Sequence, residues 1–212
     1  MSASTPKWRR RPKQRPKQVM DAALEVFSQK GFGAATMDEI AAEAGISKGT
    51  IYLYFPSKDE LFLAMVRARL DEVLELLPQV PLDQALDLEG LAKHLGKELL
   101  DILMSPRFSK VFPLVMAEVN HLPGLKKLYQ EEILPKVNIE LADILEAGMA
   151  LGFVKRAGPV IAARCLLGMF MVFSLTQEVF GAKEVTPMHS DEIVDTIVSI
   201  FFHGLMQRGT SE

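Results

Sequence analysis

The sequence predicts an all-α protein of about nine helices, and three kinds of observation support this. Apolar residues recur every three or four positions in nine segments, which is the spacing of one helix face. Capping boxes begin two of the segments, Thr36 with Glu39 and Ser57 with Glu60. Glycine or proline stands between most segments, where helices end or begin. The predicted helices cover residues 18–30, 36–44, 47–55, 57–77, 88–104, 107–120, 125–151, 160–180 and 191–208.

Charge is distributed unevenly along the 212 residues. Residues 1–60 contain ten Lys and Arg against seven Asp and Glu, a net charge of +3, whereas residues 61–212 carry −6. Residues 1–17 hold seven basic residues and no acidic one, and three prolines there discourage a helix. The sequence therefore divides into a basic flexible arm (1–17), an N-terminal helical domain (18–60) and a larger C-terminal helical domain (61–212).

Residues 31–58, GFGAATMDEIAAEAGISKGTIYLYFPSK, predict two short helices joined by a tight turn. The capping box at Thr36 starts the first helix, and Gly45 follows it where a left-handed residue would end it. Ser47 can cap the second helix two residues later. A helix, a short turn containing glycine and a second helix form a helix-turn-helix, which places its second helix in the major groove of DNA.

The second of these helices leaves unusual side chains exposed once Ile51 and Phe55 pack inward. They can supply hydrogen bonds to phosphates, a positive charge and an apolar contact for a thymine methyl. Lys58 lies in the first turn of the next helix, where a cation opposes the helix dipole, and a bound phosphate would account for it. The residues expected at DNA are Lys48, Thr50 and Leu53 on base edges, Thr36, Tyr52, Tyr54 and Lys58 on phosphates, and Gly49 for close backbone approach.

This region resembles the DNA-binding signature of the TetR family of bacterial transcriptional regulators. The matching residues are Gly31, Phe32, Thr36, Ile40, Ala41, Ala44, Gly45, Ser47, Gly49, Thr50, Tyr52, Tyr54, Phe55, Ser57, Lys58 and Leu61. The resemblance covers roughly the first third of the chain. It implies an all-helical homodimer with an N-terminal DNA-binding domain and a C-terminal domain that dimerises and binds a small inducer.

Two interpretations of the basic arm stay open. Like-charge segments are commonly solvated, disordered tails. Alternatively, Arg9, Arg10 and Arg11 neutralise phosphates or enter the minor groove of an operator.

The C-terminal domain contains a candidate ligand pocket. The predicted helix 57–77 is long enough to belong to both domains and to act as a rigid lever of about 30 Å. The helix over 107–120 carries Phe and Met on one side and an internal Pro113, a combination that suits either an ordinary core or an adaptable cavity. The resemblance gives the cavity, for an apolar or aromatic inducer, the same weight as an ordinary core, and both interpretations stay open. The candidate pocket residues are Phe108, Phe112, Met116, Met169 and Phe173.

The last two predicted helices are too apolar to remain exposed. The segment 160–180 approaches the length of a membrane span, but Arg164 enters it and no second candidate accompanies it. A soluble helix buried on most sides explains the segment better. Because two consecutive helices are this apolar, we expect them to form a homodimer interface. The resemblance implies a four-helix bundle at the same place.

Other classes of function have less support. The sequence has no Gly-rich phosphate loop and no His or Cys spacing typical of a metal site, so we expect no enzyme, cofactor or metal. A single cysteine and the absence of a secretory signal favour the cytoplasm. The leading hypothesis is a ligand-responsive repressor that binds a palindromic operator as a homodimer. The alternatives are an activator of the same family and an apolar-ligand carrier with a vestigial DNA-binding region.

Overall fold

The computed structural model describes residues 15–76 and 88–204, and all regular secondary structure in these two stretches is helical. The all-α prediction is confirmed. The chain separates into two compact units, Met1–Met65 and Val66–Glu212. The arm residues Arg9, Arg10 and Arg11 lie outside the described residues, as does the predicted loop after residue 77.

The described residues form a series of helical elements. In chain order they are α1 (Arg15–Ala34), α2 (Met37–Glu43), α3 (Lys48–Tyr54), α4 (Lys58–Leu74), α5 (Leu88–Leu103), α6 (Pro106–Glu118), α7 (Pro123–Leu128), a π-helix (Tyr129–Ile139), α8 (Glu140–Ala150), α9 (Pro159–Ser174) with a π-turn (Leu175–Val179), a 3₁₀ turn (Ala182–Glu184) and α10 (Ser190–His203).

The ends of the N-terminal helices follow the predicted caps. Thr36 and Glu39 form a complete capping box at the start of α2, and the Ser47 side chain accepts a hydrogen bond at the start of α3. Gly45, in the turn between them, has a φ of +63°, which a residue with a side chain rarely adopts. Gly31, with a φ of +77°, breaks α1 where the predicted first helix ends. These local predictions are confirmed.

An aromatic cluster forms the centre of the first unit. The rings of Phe27, Phe32 and Phe62 lie 5.0–5.7 Å apart, centroid to centroid. Ile40 of α2 and Ile51 of α3 are fully buried. Short helices such as α2 and α3 are unstable alone, so this burial is what holds them in place.

The second unit has its own core, built largely between α5, α9 and α10. Leu100 of α5, Phe170 of α9 and Ile197 of α10 belong to one buried cluster. The buried hydroxyl of Ser174 donates a 2.5 Å hydrogen bond to the carbonyl of Leu103. This bond satisfies the polar group of α9 and joins it to the C-terminal end of α5.

Two predicted helices differ in the structure. The single helix expected over 125–151 consists of α7, the π-helix and α8, and Pro135 lies inside the π-helix. Proline lacks the N–H that an α-helical turn requires, which accounts for the interruption that the sequence predicts there. The final helix begins at Ser190 without a side-chain cap. It ends at His203, where the following Gly204 has a φ of +78°. The predicted end at Gly209 lies outside the described residues.

Helix α9 is less buried within the chain than predicted. Together with the π-turn it forms a segment, Pro159–Val179, that is long and apolar enough to span a membrane by length and composition alone. A minority of its residues are buried inside the chain. Four residues at helical spacing form an exposed strip: Ile161, Cys165, Gly168 and Val172. The expectation that this helix is buried on most sides is therefore wrong for a single chain.

Candidate nucleic-acid interface and ligand cavity

Helix α3 presents an exposed apolar side chain on the side away from its unit's core. Ile51 is fully buried and Phe55, directly after the helix, is 7 % exposed, so these two residues anchor α3. Leu53 is 83 % exposed and its neighbour Tyr52 is 42 % exposed. An exposed leucine side chain lacks the stabilising free energy that its burial would provide. A leucine in this position can instead contact the methyl group of a thymine in the major groove.

The other α3 residues predicted to contact DNA differ in exposure. Lys48 and Gly49 are exposed, whereas Thr50 and Tyr54 are half-buried. The Thr50 hydroxyl lies 2.7 Å from the Ser47 hydroxyl, so the helix cap also holds the Thr50 side chain. A Cβ at Gly49 would meet no heavy atom of the chain within 4 Å. Packing within the chain therefore does not require glycine there.

An acidic side chain that sequence reasoning missed neutralises Lys48. Lys48 Nζ donates a 2.8 Å hydrogen bond to Asp38 Oδ2 of α2, and both side chains are exposed. This hydrogen bond and the charge of Asp38 raise the pKa of Lys48. No local sequence pattern predicts this ion pair, because Asp38 and Lys48 are ten positions apart and meet only when the turn between α2 and α3 forms.

The Thr36 hydroxyl takes part in the capping box and an adjoining ion pair. Thr36 Oγ1 donates to Glu39 Oε2 at 2.9 Å and accepts from the Glu39 N–H at 3.3 Å. Lys30 Nζ lies 2.6 Å from Glu39 Oε1. Hydrogen bonds from Lys30 and from Thr36 lower the pKa of Glu39 to about 2. Glu39 is therefore ionised at neutral pH, and it fixes the first turn of α2.

Lys58 binds backbone carbonyls. Its Nζ donates hydrogen bonds to the carbonyls of Phe32 at 2.7 Å, Gly33 at 3.1 Å and Ala35 at 2.9 Å, and it lies 4.6 Å from the centre of the Phe32 ring. Carbonyls at the end of a helix lack partners in the helix and carry its negative dipole. Lys58 thus has partners at the end of α1 and at Ala35 just after it, and its contact with a DNA phosphate stays a prediction.

A second candidate site is an apolar cavity of about 150 Å³ within the unit Val66–Glu212. Every residue that lines it is apolar, so no side chain there offers a bound ligand a hydrogen bond. The lining residues are Val73, Leu76, Leu91, Ala92, Leu95, Gly96, Leu99, Val137, Leu141, Ile144, Leu145, Gly148, Val154, Leu166, Leu167, Phe170, Val198, Phe201 and Phe202.

None of the five residues predicted to form a pocket lines this cavity. Phe108 packs against the core cluster of the second unit, and the Phe112 ring stacks on it with centroids 5.5 Å apart. Met116 is 50 % exposed. Met169 and Phe173 also pack against the core cluster. The role of these five residues in ligand binding therefore stays a prediction that is separate from this cavity.

The orientation of α9 explains why Met169 and Phe173 do not line the cavity. Leu166, Leu167 and Phe170 are one turn apart or adjacent and face the cavity. Met169 and Phe173 are four residues apart and share another side of the same helix. Nearly all residues of α9 are apolar, so composition does not distinguish these sides. Only the packing of α9 against α5 and α8 does so.

No metal site is evident in the stretches that the structure describes. Within residues 15–76 and 88–204, no three His, Cys, Asp or Glu side chains lie close enough together to hold a metal ion.

Comparison with known proteins links each unit to one family of regulators. Residues 19–65 match the family model of bacterial regulatory proteins, tetR family. Residues 90–204, more than half of the chain, match the family model of the C-terminal domain of AefR-like transcriptional repressors.

Individual relatives extend over most of the chain. The fatty acid metabolism regulator protein of Bacillus subtilis is 28 % identical over 155 residues, which cover 72 % of this chain and 78 % of that protein. The regulator RutR of Escherichia coli O157:H7 is 28 % identical over 206 residues, 91 % of each chain. The crystal structure of a TetR-family regulator from Mesorhizobium loti superimposes with a TM-score of 0.72 at 25 % identity, covering 91 % of this chain and 96 % of that chain.

Proposed function

Because the chain belongs to the TetR family of bacterial transcriptional regulators, we propose that it is a ligand-responsive repressor that binds a palindromic operator as a homodimer in the cytoplasm. The observation that carries the DNA-binding part is the exposure of Leu53 and Tyr52 on the second helix of a helix-turn-helix. The match of residues 90–204 to the C-terminal domain of transcriptional repressors supports repression over activation.

The exposed residues of α3 divide by chemistry into two roles. Lys48, Thr50 and Leu53 contact base edges, because they offer a cation, a hydroxyl and an apolar group. Tyr52 and Tyr54 donate to phosphates, and Thr36 does so at the start of α2 by exchanging its hydrogen bond to Glu39 for one to a phosphate. Gly49 allows the DNA backbone to approach closely. Lys58 acts indirectly, by holding the end of α1.

The exposed strip of α9 is the apolar part of the dimer interface. Ile161 is 70 % exposed and Val172 is 58 % exposed in the single chain. By contrast, four apolar side chains of α10 (Ile193, Val194, Ile197 and Val198) are buried in the same chain's core cluster, and Ile200, Phe201 and Phe202 are half-buried. Helix α10 therefore adds mainly polar side chains to a four-helix bundle formed by α9 and α10 of both protomers. Two recognition helices held in this way read two half-sites of a palindrome.

The inducer carries an apolar group that enters the cavity of the second unit. A cavity of about 150 Å³ with such a lining can hold a benzene-sized group, whereas complete ligand pockets measure roughly 300–1,000 Å³. The cavity therefore accepts a ring or a segment of an alkyl chain, and any polar end of the ligand lies beyond the apolar lining. The relationship to a fatty acid metabolism regulator favours a fatty acyl compound.

Release of the operator requires that the inducer bind one conformation better than another. Helix α4 runs from Lys58, in the first unit, to Leu74, and its Val73 lines the cavity in the second. A ligand that displaces Val73 therefore moves one end of a continuous helix. Shifting the protein from 99 % competent to 1 % competent takes a difference in binding free energy of about 5.5 kcal/mol.

A fluorescence-anisotropy titration tests the DNA-binding part. We expect the protein to bind its own upstream DNA about 10³-fold or more tightly than scrambled DNA, with two protomers per site. Leu53→Ala should weaken specific binding by about tenfold, because it removes an apolar base contact, and should leave binding to scrambled DNA unchanged. Leu151→Ala, which truncates another exposed leucine in the second unit, is the matched control.

The titration also separates the alternatives. Equal, weak and salt-sensitive binding to both DNAs would call for a selection of bound sequences from random DNA. If the selected sequences also bind weakly, the apolar-ligand carrier is favoured. Addition of hexadecanoate or octanoate to the operator complex tests the inducer, and operator release by either supports a fatty acyl ligand. Transcription from the bound promoter in vitro distinguishes the roles, since a repressor lowers it and an activator raises it.

A further inference from the structure

Gly96 lies in the interior of α5, a position where glycine is unfavourable unless packing requires it. Glycine loses more conformational freedom in a helix than any other residue. Gly96 is buried, and its φ is not in the left-handed region. A turn or a helix end therefore does not explain it, and the explanation must come from what lies against it.

The ring of Phe170 occupies the space that a side chain at position 96 would fill. A Cβ built on Gly96 would lie 2.8 Å from Phe170 Cζ, closer than carbon atoms pack in proteins, and 3.3 Å from Phe170 Cε1, which is a tight contact. It would also lie 3.4 Å from Val194 Cγ1. Phe170 is 2 % exposed, and both Phe170 and Gly96 line the cavity. The tip of the ring thus rests on the backbone of α5 because residue 96 has no side chain.

We propose that Gly96 is a positioning residue that sets the size of the cavity through Phe170, and so determines the largest apolar group that the site accepts. This inference rests on the ligand-binding part of the proposed function. A methyl group at position 96 would force the ring away from α5. Val194 and the core cluster surround Phe170 on other sides, so the empty volume of the cavity is where the ring moves. The cavity becomes smaller as a result.

The chemical class of ligand follows from the lining. With apolar residues around it, the site accepts an alkyl or aryl group without polar atoms. Size is then the main basis for discrimination, because one methylene in such a pocket changes binding by roughly 10- to 200-fold. Substitutions at Gly96 should therefore affect long groups more than short ones.

Calorimetric titration of the full chain with benzene, ethylbenzene and n-butylbenzene tests this inference. We expect Gly96→Ala to weaken n-butylbenzene binding by about tenfold or more, and benzene binding by less. The double variant Gly96→Ala with Phe170→Leu should restore binding of n-butylbenzene, because the shorter side chain leaves room for the added methyl. Gly33→Ala, at a helical glycine where a Cβ meets nothing within 4 Å, controls for the change of residue type alone.

The outcomes separate this inference from the proposed function. If the wild-type protein binds the three compounds and Gly96→Ala shows the same size preference, the role of Gly96 is overturned and the cavity remains a ligand site. Wild-type protein that binds none of the three compounds overturns both the role of Gly96 and the ligand site, while the operator titration still decides DNA binding. If Gly96→Ala lowers the thermal unfolding temperature, the folded double variant Gly96→Ala with Phe170→Leu tests the role of Gly96 in its place. Failure of this double variant to bind n-butylbenzene again overturns the inference.

Discussion

The ammonium group of Lys48 is paired before DNA is present. Its hydrogen bond to Asp38 places a carboxylate 2.8 Å from a cation that we propose contacts DNA. Because DNA must replace this partner, Asp38 weakens attraction to any DNA, whatever its sequence. A hydrogen bond from Lys48 to the edge of a specific base can still compensate for the loss of its bond to Asp38. Asp38 thus favours discrimination at some cost in affinity.

Replacement of this carboxylate should strengthen binding to all DNA. We expect Asp38→Asn to raise affinity for operator and scrambled DNA by about two- to fivefold, the range for an exposed ion pair. The ratio of operator affinity to scrambled-DNA affinity should fall, and a constant ratio would contradict the role of Asp38 in discrimination. Anisotropy titrations at several salt concentrations measure both quantities, and the variant should show a steeper dependence on salt because Asp38 no longer neutralises the charge of Lys48.

Glu43→Gln is the control for this variant, since it removes the same charge from the other end of α2. If the two variants strengthen binding equally, loss of net negative charge explains the effect and the ion pair with Lys48 does not. A weaker complex in Asp38→Asn would contradict the interpretation, and would indicate that the ion pair orients Lys48 toward its base.

At the level of elements, the structure joins α1 to the start of α4 through one side chain. Lys58 satisfies three carbonyls at the end of α1 and lies over the Phe32 ring of the aromatic cluster. The sequence indicated that Lys58 needed a partner, because a cation is unfavourable in the first turn of a helix. It could not indicate which partner, because the carbonyls lie 23–26 residues earlier in the chain.

Lys58→Met should therefore destabilise the first unit. It keeps the apolar stem and removes the donors, so we expect a loss of about 1.5–3 kcal/mol in the free energy of unfolding, as for hydrogen bonds to a charged group. Urea unfolding followed by circular dichroism measures it, and Lys17→Met, at an exposed position of α1, is the control. A variant with wild-type stability but weaker operator binding would return Lys58 to the phosphate contacts.

Features of the fold were predictable from the sequence when the residues that determine them are close together in the chain. The caps at Thr36 and Ser47 were predictable because each bond joins residues three positions apart. The ligand cavity was not predictable in detail. Nearly every residue of α9 is apolar, so only packing decides that Phe170 faces the cavity and Met169 does not.

At the level of the whole molecule, the proposed function requires two chains. The exposed strip of α9 includes Gly168, where a Cβ would meet nothing within 4 Å in the single chain. Small residues beside Ile161 and Val172 allow a second helix to approach closely. A dimer formed there buries apolar surface that one chain leaves in water.

A charge in this strip should separate the protomers. We expect Val172→Glu to raise the dimer dissociation constant by about 100-fold or more, because the two-fold symmetry would bury an unpaired carboxylate from each chain. Analytical ultracentrifugation measures the dissociation constant. Operator affinity should fall in parallel, since one recognition helix reads only half of a palindrome. Val185→Glu, at a valine that is 83 % exposed outside α9, is the matched control. A Val172→Glu protein that stays dimeric would place the interface elsewhere, whereas a monomer with full operator affinity would contradict the need for a dimer.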